Sequence, residues 1–277
     1  MLGGGVNSKS IKKRGTQMRR NGTIFIVIFS VATSVLGCST ITKNTTLTAN
    51  RTTRIIIGAD SITLNCDGHI ITGSGTGSGN GIKLVSRTGV TIRNCTVTNF
   101  DDGIQINQSN NNTFENNLTH HNIQEGFDIE DANTNNFVEN TSRDNGRDGF
   151  DVGTSNGNTF TGNVATGNGT SGSGGNGIEL DFSASNILTA NAVNNNALNG
   201  FSLDSSSGNT FEGNTADNNT ERGFQIETSN NGSFSNNHAT GNANEDARQD
   251  GFSTGNAFCG NTFGTIDNIP VGYNNPC

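Results

Sequence analysis

The chain has 277 residues, with 16 Lys and Arg against 24 Asp and Glu for a net charge of −8, and it contains 38 Gly, 16 Phe, two Pro and no Trp. That balance excludes a protein built to coat nucleic acid or an anionic lipid surface, because both need clustered positive charge. Low hydrophobicity would also fit a disordered chain, but Phe and Ile recur here at regular intervals, which only a core requires.

The basic residues are unevenly placed. Lys9, Lys12, Lys13, Arg14, Arg19 and Arg20 precede an apolar run at 23–37, TIFIVIFSVATSVLG, that meets Cys38. A basic region followed by an apolar segment too short to span a bilayer comfortably reads as an export signal over 1–37, with Met18 as an alternative start. The tetrad Val35, Leu36, Gly37, Cys38 resembles a bacterial lipobox, which implies lipidation of Cys38; cleavage nearby and free secretion is the alternative. The leader holds six of the 16 basic residues and no acid, so its loss takes the net charge from −8 to −14. Five cysteines fit an exported protein.

Residues 38–60 are expected to form an N-terminal cap with its first strand. Beyond them, over 61–257, one phrase repeats: glycine, an aromatic or aliphatic, a polar residue and another aliphatic, headed by Gly81, Gly103, Gly126, Gly149, Gly177, Gly200, Gly223 and Gly251. The intervals are 22, 23, 23, 28, 23, 23 and 28 residues. A near-constant period of this size makes each unit one turn of a solenoid that buries its apolar residues only against its neighbours. With the glycine as position zero, positions one (Phe127, Phe150) and three (Ile129, Val152) alternate with polar residues, as in a strand with one side inward. Position eleven (Phe114, Phe137, Phe160) marks a second strand, and position sixteen (Thr119, Ser142, Ala165) a third, tighter wall. The expected fold is all-β: a right-handed, single-stranded parallel β-helix of about nine or ten coils of 22–23 residues, on the order of 45 Å long at one strand spacing per coil. A leucine-rich repeat has a similar period but needs several leucines per unit, which stretches such as NNALN at 195–199 lack.

Position fourteen holds Cys95, Asn117, Asn140, Asn163, Asn191, Asn214 and Asn237, a file able to pass amide hydrogen bonds from coil to coil. Allowing for an insertion at 73–80, Cys66 falls in the same file one coil below Cys95, within reach of a disulfide. Cys259 and Cys277 bracket a stapled C-terminal cap, 258–277. Further insertions at 167–176 and 241–250 precede head glycines, so three loops are expected along one edge.

The outward positions beside that edge carry the candidate chemistry. Position two includes Gln105, Asp128, Asp151 and Glu179, and position four Glu130, Asp181, Asp204 and Glu227. Like charges stacked one strand apart repel unless protons, cations or ligands relieve them. Such carboxylates can take Ca²⁺ through oxygen ligands, or act as acid and base on a glycosidic bond, with Asp128, Asp151, Glu179 and Asp181 as catalytic candidates. The bland alternative is a solvated acidic face. The four histidines share no file and both methionines precede the repeats, so a copper site of soft or imidazole ligands is poorly supported and the metal, if any, is left open. Arg147, just before Gly149, is the basic residue nearest the strip.

The stretch 41–73, followed by GIKLVSRTGVTIRNCTVTNFDDGIQINQSNNNTFENN, resembles the right-handed parallel β-helix repeat proteins of the pectate-lyase-like superfamily, including the NosD-like group. This implies a surface or periplasmic protein that binds or processes carbohydrate. DGFDVGT at 148–154 is similar to a segment of polygalacturonases, and Asp101 and Asp102 to their paired aspartates, but Gly-His-Gly and Arg-Ile-Lys are missing, as is the Asp-Pro-His of alginate epimerases. The combined expectation is an exported, lipid-anchored monomer binding polysaccharide or a cell-envelope glycan from Gln105 to Glu227. It requires no cofactor, with Ca²⁺ as an optional ion, and has no nucleic-acid partner and no membrane contact beyond the lipid. A polysaccharide lyase or glycoside hydrolase, and a structural surface protein without ligand, are the alternatives.

Overall fold

A computed structural model describes residues 39–172 and 174–277. The export signal at 1–37 and the lipid site at Cys38 lie outside the described residues.

The described chain winds through three parallel sheets in turn. The first sheet has 11 strands, from Ser39–Ile41 through Phe127–Glu130 and Phe150–Gly153 to Ile266–Asp267. The second has 10, from Thr45–Thr46 to Ala257–Cys259, and the third has six, from Ile70–Thr72 to Ala192–Asn194, extended by single bridges through Thr215. Every pair is parallel and joins one coil to the next, for example Phe127 to Phe150 and Phe114 to Phe137. The segments read as caps, 38–60 and 258–277, themselves contribute paired strands, so the stack extends beyond 61–257 at both ends.

The interior follows the period. Positions one, three and eleven are buried, and their rings stack coil upon coil: Phe127 on Phe150 at 4.6 Å and Phe137 on Phe160 at 4.6 Å, with the two stacks meeting edge to face. Position sixteen is small because the head glycine leaves no room. A Cβ on Gly126 would stand 1.8 Å from Ser142 Oγ.

At the bends, buried polar files replace apolar ones. In the file at position fourteen, Asn140 Oδ1 accepts from the amide and side-chain nitrogens of Asn117, both at 3.0 Å, while Asn140 Nδ2 donates to Phe114 O and Asn163 Oδ1. Two more asparagine files, through Asn135 and Asn145, and a serine file through Ser155, Ser183, Ser206 and Ser229 close the remaining corners. Cys66 bonds to Cys95 with Cα atoms 4.7 Å apart, and Cys259 to Cys277 at 5.1 Å.

The last coil differs from the expected register. Ala247, Arg248 and Gln249 pair with Phe224, Gln225 and Ile226, so Asp246 takes the head position assigned to Gly251. The interval from Gly223 is then 23 residues, and 241–250 is no insertion. Gly251-Phe252 imitates the head phrase, but Phe252 sits in a turn whose backbone Asp250 caps. Asp246 succeeds there because its carboxylate accepts from Asn242 Nδ2 at 2.7 Å and from Thr265 N at 2.8 Å, ending one asparagine file.

Candidate functional site

The acidic edge lies where the chain turns into the first sheet. On the strands Ile104–Asn107, Phe127–Glu130, Phe150–Gly153 and Ile178–Asp181, register stacks Gln105, Asp128, Asp151 and Glu179 in consecutive coils. They do not face open solvent as expected, since burial acts on each. A second file supplies the covering groups: Asp102, Glu125 and Asp148 each sit immediately before a head glycine and are buried, with Asp148 8% exposed. The glycine lets the chain pass close to the third sheet, as the clash at Gly126 shows, and the preceding acid is carried against the strand. Oxygens of Glu125, Asp148 and Asp151 all lie within 4.8 Å of one another.

Six carboxyl groups thus converge over four coils, and burial is the largest cause of the shifts at Asp102, Asp128, Asp148, Asp151 and Glu179. It pushes Asp102 up to about 8, helped by a hydrogen bond with Glu125 and the charge of Asp128. Asp151 rises to about 8 through burial and then the charges of Asp148 and Glu179; Asp148 rises to about 7 through burial and then Glu179. Burial also raises Glu179 and Asp128, the latter held back by Gln105 Nε2, which donates to Asp128 Oδ2 at 2.7 Å. Partial compensation comes from Asn176, whose amide donates to Asp148 Oδ1, and from Arg147, 3.5 Å from Glu125 Oε1 with half its own side chain exposed. Two buried acceptors in the same files, Gln105 Oε1 and Asn199 Oδ1, have no hydrogen-bond partner among the described residues.

The expected strip is therefore not uniform. Its near part, Asp128, Asp151 and Glu179, joins the buried cluster. Glu130 and Asp181 stand at the strand ends with carboxyls raised by partial burial and then by neighbouring acids, and Asp204 is exposed. Glu227 belongs to another environment, accepting from Gln225 and facing Arg248 at 3.8 Å, while Arg222 engages Glu245 at 2.7 Å. The sequence reading missed Glu125 altogether, and it noted Asp102 and Asp148 only through resemblance. The available signal was an acid directly before the glycine in three successive units. Two insertions rather than three therefore precede head glycines, those before Gly81 and Gly177.

The donor set is three carboxylates, hard oxygen ligands that fit Ca²⁺ and not copper. A proton on Asp151 or Asp148 serves the same end by lowering the repulsion. The concave surface of the first coil, lined by residues 45–53, contains none of these acids.

A family profile described as right handed beta helix region matches residues 32–175 and 138–263. Among solved structures, the mannuronan C-5 epimerase AlgE6 A-module of Azotobacter vinelandii is 18% identical with a TM-score of 0.55, over 86% of this chain and 77% of that one. The periplasmic alginate epimerase AlgG is 16% identical with a TM-score of 0.55, over 80% of this chain and 64% of its own. The Dettilon tailspike protein gp208 is 16% identical with a TM-score of 0.59, over 82% and 55%. This chain spans less than two thirds of the latter two, and at such identities the likeness is one of fold. No curated protein matches the sequence. The profile covers most of the chain, and its repeating unit is the coil described above: the chain belongs to the right-handed β-helix family.

Proposed function

We propose that this is an exported cell-envelope protein, anchored through Cys38, that binds polysaccharide across the acidic edge. The observation that carries the reading is the convergence of Asp102, Glu125, Asp128, Asp148, Asp151 and Glu179 at a half-covered surface where nearby cations compensate the acids only in part. Sugar hydroxyls donate to ionised carboxylates and accept from protonated ones, so a mixed cluster suits a polyhydroxylated chain. Gln105 Oε1 and Asn199 Oδ1 add two acceptors in need of donors. The names of two fold relatives, a mannuronan epimerase and an alginate epimerase, agree with a glycan partner. Ca²⁺ held by Glu125, Asp148 and Asp151 would let the same edge accept an acidic glycan.

One observation favours a second reading, glycan cleavage: carboxyls raised to about 7 and 8, Asp148 and Asp151, adjoin Glu125. A carboxylic acid that keeps its proton near neutrality beside a second carboxyl is the equipment of general acid and base catalysis. The test is a glycan array read for both binding and cleavage, with and without Ca²⁺, on the native chain, Asp148→Asn and Asp151→Asn. Binding weakened about tenfold or more without product formation supports the first reading. Turnover that either variant abolishes supports the second, and silence on every glycan leaves a structural surface protein.

A further inference from the structure

A different corner of the coil carries an independent feature. Of the Phe and Tyr side chains among the described residues, only two are exposed, Phe182 at 62% and Phe252 at 79%. Both occupy the bend between the first and second sheets, and each directly precedes a buried serine of the file there: Ser183 accepts from Ser155 N, and Ser253 from Ser229 N. Two coils separate them, represented at the same place by Ser205 and Thr228. The serines that follow them, Ser183 and Ser253, lie three coil spacings apart in one file, about 14 Å, and Phe252 reaches this corner from the turn that replaces the regular bend in the last coil.

This bend is otherwise polar. The residues at the corresponding position in the other coils are Ser86, Gln108, Asp131, Thr154, Ser205 and Thr228. All six share a positive φ with Phe182, whose φ is 48°. A bulky aromatic is a poor choice for that backbone region, which favours Asn, Asp or Gly, and an exposed ring adds the cost of apolar surface in water. Phe182 carries both costs, whereas Phe252 shares the exposure but not the positive φ. The backbones beneath are rigid: Phe182 N donates to Asp204 O at 3.1 Å, and Asp250 Oδ1 accepts from Phe252 N, Ser253 N and Ser253 Oγ. Rings presented on a held backbone bind without an ordering penalty there.

We propose that this bend is a second glycan-contacting surface, a ridge on which Phe182 and Phe252 each stack against the apolar face of a different sugar of one extended chain lying along the coil axis. The occupant is a polysaccharide because a lone ring among carboxylates and hydroxyls, with Asp181 and Asp204 beside Phe182, matches a ligand with C–H faces and hydroxyl edges. An apolar peptide would instead require a continuous patch. The inference rests on the polysaccharide reading above and adds where the chain runs and the minimum length it needs.

The absence of Trp makes a direct experiment available. Phe182→Trp and Phe252→Trp each place one indole on the ridge, and its emission is followed during titration with size-graded oligosaccharides of alginate, polygalacturonate and cellulose. Affinities of the native chain, Phe182→Ala and Phe252→Ala for the same ladders are measured by calorimetry. The expected result is a blue-shifted emission in both Trp variants. Native affinity steps up at the length that reaches both rings, and either Ala variant loses about tenfold together with that step. If the native chain binds a ladder but the Ala variants bind it equally, with unshifted indole emission, the ridge is wrong while the acidic edge stands. Failure of the native chain to bind any ladder overturns both.

Discussion

The asparagine files and the acidic edge are built by the same device, one polar residue repeated at one place in successive coils, and they come out opposite. An amide carries donor and acceptor together, so Asn117, Asn140 and Asn163 satisfy one another and the carbonyls below while fully buried. A carboxylate carries only acceptors and a charge, so stacking Glu125, Asp148 and Asp151 leaves repulsion that the coil itself does not resolve. Repetition at the first place holds the solenoid together. At the second it stores an unmet demand for protons, cations or hydroxyl donors, and for that reason the functional reading belongs there.

The contrast can be broken most forcefully from the asparagine side. Asn140→Ala removes the acceptor of the Asn117 amide, one of the two acceptors of Asn117 Nδ2 and a donor to the carbonyl of Phe114, and is expected to cost about 3 kcal/mol in urea unfolding. A loss under about 0.5 kcal/mol would show the file to be dispensable. On the acidic side the sign reverses. Asp102, Asp148 and Asp151 hold protons in the folded chain that the unfolded chain releases near the ordinary value of 3.8, so their contribution is full below that value and is lost as pH rises through about 7 to 8. The melting temperature should therefore fall by on the order of 5–10 °C from pH 5 to pH 9. Asp151→Asn should flatten that decline; an equally steep decline in the variant would mean that the cluster does not titrate as described. The smallest effect concerns the cation. Millimolar CaCl₂ at pH 8.5 is expected to raise the melting temperature by a few degrees through binding to the folded state, and Glu125→Gln to remove the rise. An exposed-acid control, Asp204→Asn, should leave all three measurements unchanged.

Much of the fold was legible because a solenoid writes its cross-section into every unit. Phe127 and Phe150 fall at one place in the period and stack in space, and the Cys66–Cys95 bridge followed from putting two cysteines in one file. The site was half legible. Asp128 and Asp151 show in the alternation of a strand, whereas Glu125 and Asp148 lie in the bend before the glycine, where no periodicity says which way a side chain turns. Only the close passage of Gly126 against Ser142 brings the bend onto the strand. Gly251-Phe252 misled for the converse reason. Its letters repeat the head phrase, but the pairing of the last coil is decided by Ala247 and Gln249 opposite Phe224 and Ile226, and the ring left outside becomes part of the ridge.

The two disulfides lie near opposite ends of the described stack. In a one-dimensional array each interior coil is held by two neighbours and each terminal coil by one, so unravelling starts at the ends. Cys66–Cys95 joins the second described coil to the third, just inside the first coil at 39–54, and Cys259–Cys277 ties the last turn of chain back onto the stack, so peeling is checked soon after it starts at either end. A chain stapled in this way opens further only through its middle, where Phe127, Phe150, Phe137 and Phe160 interlock. The acidic edge, spread over those same coils, is thereby kept off the fraying ends.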